Sequence, residues 1–376
     1  MTFEPTQDQA MLRDSVERCL AETYTFDVRR AIVAAGGFDA AQWRTFAAMG
    51  WLAVALPEDM GGIGGGAEDL ALLHEALGRA LVIEPVAAVA TLAAQVLRHA
   101  DVAQARDWLP PLASGERRIV LAHHEAGAAG RLSQVATRAE TIRGALRLSG
   151  AKVLLPGGPQ ADAFLVSARE HGATGDEQGI SLFLIRPGAA GLVRHDHRLI
   201  DGSTACDLQL DGVVVDVSAR VGMPGGAFEA IDDAHALATI AVVAEALGVM
   251  GRALHTTRDY LLERRQFGVA IASFQVLRHR LADMAIALEQ SRAMLQHALR
   301  SLHENDRAVR RRELLLAKAL VGRNGRHVGA QAIQLHGGIG MTDEYIVGHC
   351  FKRLVVLDQW LGDAEASWAR AAEVSS

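Results

Sequence analysis

The chain has 376 residues, 50% of them hydrophobic and 22% charged, with a formal net charge of −6 at pH 7. That length sets an expectation of two or three domains around a large core, and the mild acidity argues against nucleic acid as the main partner. Three widely separated cysteines, Cys19, Cys206 and Cys350, lack the paired spacing of a zinc site and read as reduced thiols. The opening "MTFEPTQDQAMLRD" is polar, without an apolar signal core, and no run approaches the ~18 uninterrupted apolar residues of a membrane span. The expectation is a soluble cytoplasmic protein with neither nucleic acid nor membrane among its partners.

Residues 1–117 carry a helical pattern. Thr6 and Gln9 have capping-box spacing ahead of "AMLRDSVERCL". The segments "AAQWRTFAAMGWLAVAL" and "AEDLALLHEALGRALV" repeat apolar residues at helical intervals, and the intervening "PEDMGGIGGG" breaks any helix. "LPPLASGERR" reads as a boundary. Across residues 118–224 the period shortens. "IVLAHH", "SQVATRAE", "GALRLSGAKVLL", "DAFLVSARE" and "GISLFLIRP" are strand-like runs bounded by Gly, Asp or Pro. Strands in succession, without helices between them, predict an antiparallel sheet or barrel. From 225 to 376 long helical patterns return. Leu277, Leu281, Met284, Leu288 and Leu295, spaced 4, 3, 4 and 7, form one stripe of a bundle helix. Gly322, Gly325 and Gly329 allow close helix contact along the next. The predicted fold class is α+β: an N-terminal α-helical domain, a central antiparallel β-barrel-like domain and a C-terminal four-helix bundle.

Few segments carry chemistry by themselves. "GGIGGGA" imitates a dinucleotide fingerprint but has helical pattern on both sides instead of a β-α-β unit, so it reads as a loop. His195-Asp196-His197 and His123-His124 lack the further ligands of a metal site and read as solvent-facing. "QAIQLHGGIGMTDEY" runs a helix into Gly337-Gly338-x-Gly340, which is either a plain helix stop or a turn whose backbone N–H groups can approach a pyrophosphate. Arg264, in "RRQFGVAIASFQ", is either a cation at a helix end or a bidentate phosphate partner.

Together, "R-x-x-F-G-x-x-I-x-x-F-Q" and, some 60 residues later, "Q-x-x-G-G-x-G" resemble the acyl-CoA dehydrogenase family. The resemblance runs the whole length: "GWLAVALPEDMGG" matches the family's N-terminal loop, "LPPLASGE" its entry to the β-domain, and "SGAK" its mid-domain hairpin. The texture is most similar to the small subunit of pimeloyl-CoA dehydrogenase and to like subunits of two-chain acyl-CoA dehydrogenases. The resemblance implies FAD as cofactor and α,β-dehydrogenation of an acyl-CoA as the reaction, with an electron-transfer flavoprotein as acceptor. It also implies that Arg264, Phe267, Gln275, Gln334, Gly337 and Gly338 hold the adenosine-diphosphate half of FAD, largely across a subunit interface.

The departures from the family are equally specific. The reaction needs a carboxylate base, and its two usual positions are Leu361 and Ala238 here. Glu245, two helical turns beyond Ala238, is a weak candidate for a displaced base; its ordinary reading is a surface or interface charge. At the flavin ring the family's threonine, serine and aspartate become His124, Gly130 and Arg131, and its tryptophan and second threonine become Leu154 and Pro156. Groups used on a chain's own flavin ring are gone, while groups lent to a neighbour remain. The expectation is a partner subunit in a heteromer with a catalytic sister chain. The alternatives are a self-sufficient homo-oligomer with a displaced base and a non-catalytic acyl-CoA binder.

Overall fold

In the computed structural model, which describes residues 5–374, helices, then strands, then helices follow in chain order. The first block holds α1 (Gln7–Thr23), α2 (Phe26–Ala34), α3 (Ala40–Ala48), α4 (Ala67–Ala80), a π-helical segment (Ala87–Ala93) running into α5 (Ala94–Leu97), and α6 (Val102–Ala113). Thr6 and Gln9 do close a reciprocal capping box on α1. The glycine run before α4 is a loop, and Gly62 is there for packing: a Cβ on it would lie 1.9 Å from the Leu56 carbonyl oxygen.

The strands are β1 (Ile119–Ala122), β2 (Arg138–Ile142), β3 (Ala145–Pro156), β4 (Ala163–Arg169), β5 (Ile180–Ile185), β6 (Leu192–Arg198), β7 (Thr204–Val215) and β8 (Arg220–Val221). They form one eight-stranded sheet in the order β6-β7-β3-β2-β4-β5-β8, with β1 on β4. The sheet is mainly antiparallel, but β1 and β2 each run parallel to β4. Strand-by-strand reading misses this, because hairpin logic pairs only neighbours. "SGAK" is not a hairpin: it lies inside β3, and the turn is Arg143-Gly144, both at positive φ. β6 and β7 escape the sequence reading. β6 is largely exposed, and its charged "RHDHR" hides the strand alternation.

The last block is α7 (Phe228–Glu263), a small hairpin of β9 (Arg265–Gln266) and β10 (Val269–Ala270), then α8 (Gln275–Ser301), α9 (Arg307–His336), α10 (Ile346–Gln359) and α11 (Ala364–Val374). α7 is apolar and long enough to cross a bilayer, yet 78% of its most apolar window is buried, as in a core helix.

Contacts divide the chain into two compact units. One comprises residues up to Ala31, Ala67–Val82 and everything from Thr239; the other comprises Ile32–Gly66 and Ile83–Ala238. In the first, α4 and α7 cross at glycines. A Cβ on Gly78 would lie 2.0 Å from the Glu245 carbonyl oxygen, and one on Gly248 would lie 1.9 Å from that of Glu75. Only glycine lets the two backbones approach so closely. In the second unit the π-helical segment is wholly buried and β1 carries four buried residues.

Candidate functional site

α7 ends at Glu263, and the Arg264 N–H still donates to the Tyr260 carbonyl. The β9–β10 hairpin then turns at Phe267 (φ 54°) and Gly268 (φ 81°), the two left-handed positions of a type I′ turn. Glycine enters that region freely, whereas a bulky L-residue there costs about 1–2 kcal/mol. Phe267 gains little for the strain: it is 91% exposed, its ring meeting Phe274 edge-on at 6.2 Å. Arg264 and Gln275 are exposed beside it. The apolar stripe of α8 is buried from Met284 onward, whereas Leu277 and Leu281 are only half-buried and Val276 is 60% exposed.

Gln334 lies exposed on the last turn of α9, and Gly337, at φ 63° and ψ −138°, ends that helix. A helix stop accounts for Gly337 and leaves Gly338 unexplained. Gly338 lies outside the left-handed region, is exposed, and has no atom within 4 Å of where a Cβ would sit. Gly340 differs, for a Cβ there would press 3.0 Å from the Ile333 carbonyl oxygen. Gly338 thus keeps a surface free of side chain with no packing reason inside the chain. A ligand approaching the backbone closely supplies one. The two segments meet where the Tyr260 ring stacks on His336 at 4.4 Å.

Three acids near the usual base positions, Glu245, Asp358 and Asp363, accept hydrogen bonds within the chain. Ala238 is buried. Leu361 sits at φ 66° in the turn between α10 and α11. Lys318 Nζ clamps that turn by donating to the carbonyls of Asp358 (2.7 Å) and Gly362 (2.8 Å), and burial pushes this lysine down to about 8. The Asp358 carboxylate accepts from Arg326 Nε at 2.6 Å and from the Ala364 N–H at the start of α11. Asp363 accepts from the Ala366 N–H. Glu245 is not the surface charge expected of it, and its carboxylate is ion-paired. It is 3% exposed and accepts from Arg353 Nε at 2.6 Å, because α10 brings the guanidinium against α7 inside the core. The same arginine, together with burial as the larger cause, drives the buried His74 imidazole down to about 3.

The second unit carries the segments aligned with the family's ring-side residues. The Glu125 carboxylate accepts from the N–H groups of Ala136 and Thr137, from Thr137 Oγ1 and from Lys152 Nζ. Lys152 is fully buried and directs its three protons to Glu125, Ser167 Oγ and the His123 carbonyl. Burial pushes Lys152 down to about 8, opposed by its ion pair with Glu125. Past this anchor the β3–β7 register slips between Lys152 and Leu155. Leu154, at φ 51° and 50% exposed, donates its N–H to Asp207. Neither Leu154 nor Pro156 has a side-chain donor for a flavin ring. His195 and His197 are exposed on β6, but His123 is buried with its Nδ1 2.9 Å from Ser167 Oγ, so the solvent-facing reading fails there; no group of three His, Cys, Asp or Glu side chains suited to a metal occurs among the described residues.

Residues 6–116 match the acyl-CoA dehydrogenase N-terminal domain and residues 228–375 its C-terminal domain. The chain belongs to the acyl-CoA dehydrogenase family. Among solved structures, a variant of the Tcur3481-Tcur3483 steroid acyl-CoA dehydrogenase is 30% identical, with a TM-score of 0.87 and 98% of each chain covered. The ChsE4-ChsE5 complex from Mycobacterium tuberculosis is 27% identical (TM-score 0.88), covering 99% of this chain and 98% of that one. PigA with FAD and proline is 25% identical (TM-score 0.90), over 99% and 98%. This acyl-CoA dehydrogenase is therefore a flavin-dependent oxidoreductase by family, with FAD as its cofactor. The open backbone at Gly338 and the exposed Arg264 suit the diphosphate half of FAD. The ring-side side chains of this chain do not suit the other half. Sequence reasoning missed Arg353, because a lone arginine eight residues after "MTDEY" gives no sign that it reaches a glutamate 108 residues upstream.

Proposed function

We propose that this chain is the partner subunit of a two-chain acyl-CoA dehydrogenase, completing the FAD site of a sister chain that supplies the base and the ring pocket. The observation that carries the reading is Phe267, strained and 91% exposed in a turn that the chain's own packing does not offset. Strain held with only an edge-on ring contact to Phe274 inside the chain points to a contact made outside it. Gly338, bare without an internal cause, points the same way. Bound there, FAD would supply the hydride acceptor for α,β-dehydrogenation of the acyl-CoA. In this reading Arg264 offers an exposed guanidinium to the diphosphate, and Gly337 and Gly338 let backbone N–H groups approach it. Phe267, Gln275 and Gln334 border the adenosine.

The tying-up of Glu245 by Arg353 and of Asp358 by Arg326 counts against a displaced base in this chain. The two-chain names of the steroid and ChsE4-ChsE5 relatives support a heteromer. An acyl-CoA is the substrate class, and an electron-transfer flavoprotein is the acceptor. The test is Arg264→Ala in the assembled complex. A hydrogen bond to a charged group is worth about 1.5–3 kcal/mol, so FAD affinity should drop at least tenfold while assembly persists. Unchanged FAD affinity would remove the proposed grip.

A further inference from the structure

The loop Gly337–Glu344 leaves α9 and returns to α10 with its two ends touching. His336 at the entry and Tyr345 at the exit bring their rings to 5.0 Å, tilted 50°. Both rings lie against Tyr260 near the end of α7, His336 stacked at 4.4 Å and Tyr345 edge-on at 6.4 Å. The Tyr260 hydroxyl also points to the His336 carbonyl, at 3.5 Å. Four residues after Tyr260 comes Arg264, and directly after His336 come Gly337 and Gly338. The far side of the loop is braced separately. Buried Arg29 donates to His349 Nδ1 (2.9 Å), so His349 Nε2 donates to the Asp343 carbonyl (2.9 Å). An arginine cannot accept, and this fixes the direction of the pair.

His336 is 3% exposed, and its Nδ1 donates to the Ala332 carbonyl at 2.7 Å, leaving Nε2 with no hydrogen-bond partner among the described residues. An unsatisfied buried nitrogen is a loss that a phenyl ring would avoid. Beyond that bond to its own helix, what the side chain contributes is the position of its ring.

We propose that Tyr260, His336 and Tyr345 form an aromatic clasp that positions the glycine-rich loop against the end of α7, so that Arg264 and the Gly337–Gly338 backbone present one grip to a dinucleotide diphosphate. This rests on the partner-subunit reading of that string. The three rings act through the loop and touch no ligand themselves, so they are positioning residues.

The test uses the assembled heteromer with FAD and, separately, riboflavin, which lacks both the diphosphate and the adenosine. His336→Ala raises the FAD dissociation constant about tenfold, whereas His336→Phe, which keeps a ring, stays within about threefold of the parent. Riboflavin affinity moves in neither variant. Tyr345→Ala opens the clasp from its half-buried end and gives the same pattern, serving as the reading if His336→Ala does not assemble. Unchanged FAD affinity in the alanine variants overturns the clasp, as does an equal loss for riboflavin. If Arg264→Ala also leaves FAD unmoved, the grip itself falls; if only Arg264→Ala weakens FAD, the clasp alone falls.

Discussion

The Arg264–Gln275 string with its glycine-rich loop, and the Glu125–Lys152 region of the sheet, are opposite kinds of surface. The first holds Phe267 left-handed and 91% exposed, with bare backbone at Gly338. The second is internally complete: every Lys152 proton has an acceptor, and the Glu125 carboxylate takes four hydrogen bonds. A region that satisfies itself needs no partner, whereas one that stores strain on its surface is built for something that arrives later. That difference, more than the list of lost residues, supports a division of labour between chains.

The comparison can be broken most forcefully in the buried pairs. Arg353→Met deprives Glu245 of its guanidinium and should cost about 3–5 kcal/mol by chemical denaturation. A loss near zero would mean that Glu245 can stand alone and is again open as a base. Acid gives the next effect. His74 is held at about 3 when folded against 6.5 when unfolded. The unfolded chain therefore binds more protons between those values, and stability present above pH 6.5 is lost as pH falls toward 3. His74→Leu should flatten that limb in denaturation curves taken across the window. Gly248→Ala forces a methyl 1.9 Å from the Glu75 carbonyl oxygen, and overpacking of that kind costs about 1–3 kcal/mol. Phe267→Gly gives the smallest change in stability and sharpens the contrast most. The isolated chain should gain up to about 1 kcal/mol as left-handed strain is relieved, while the heteromer's hold on FAD weakens. A variant that improves both would show that Phe267 makes no contact outside its own chain.

Much of this was legible in the residues. Period changes give the helix–strand–helix order, because buried helix faces and strand alternation leave different spacings. The motif positions of the nucleotide string follow from Arg264 and Gly337-Gly338, where short fixed spacings carry the resemblance. What could not be read depends on distant partners. The Arg353–Glu245 pair joins residues 108 apart, and the parallel pairing of β1 with β4 joins segments separated by two strands. The outward half of α8 was also hidden, since Leu277 and Leu281 have the spacing of core residues. The clasp of Tyr260, His336 and Tyr345 appears only once α7 and α9 are placed side by side.

The most direct measurement is flavin per chain, by absorbance after gentle purification, first on this protein alone and then after assembly with a dehydrogenase-like sister chain that carries an acid at the position of Leu361. The account predicts a colourless lone protein and one FAD for each pair of unlike chains. A lone protein that comes out yellow with one FAD per chain, and bleaches with an acyl-CoA, would contradict it.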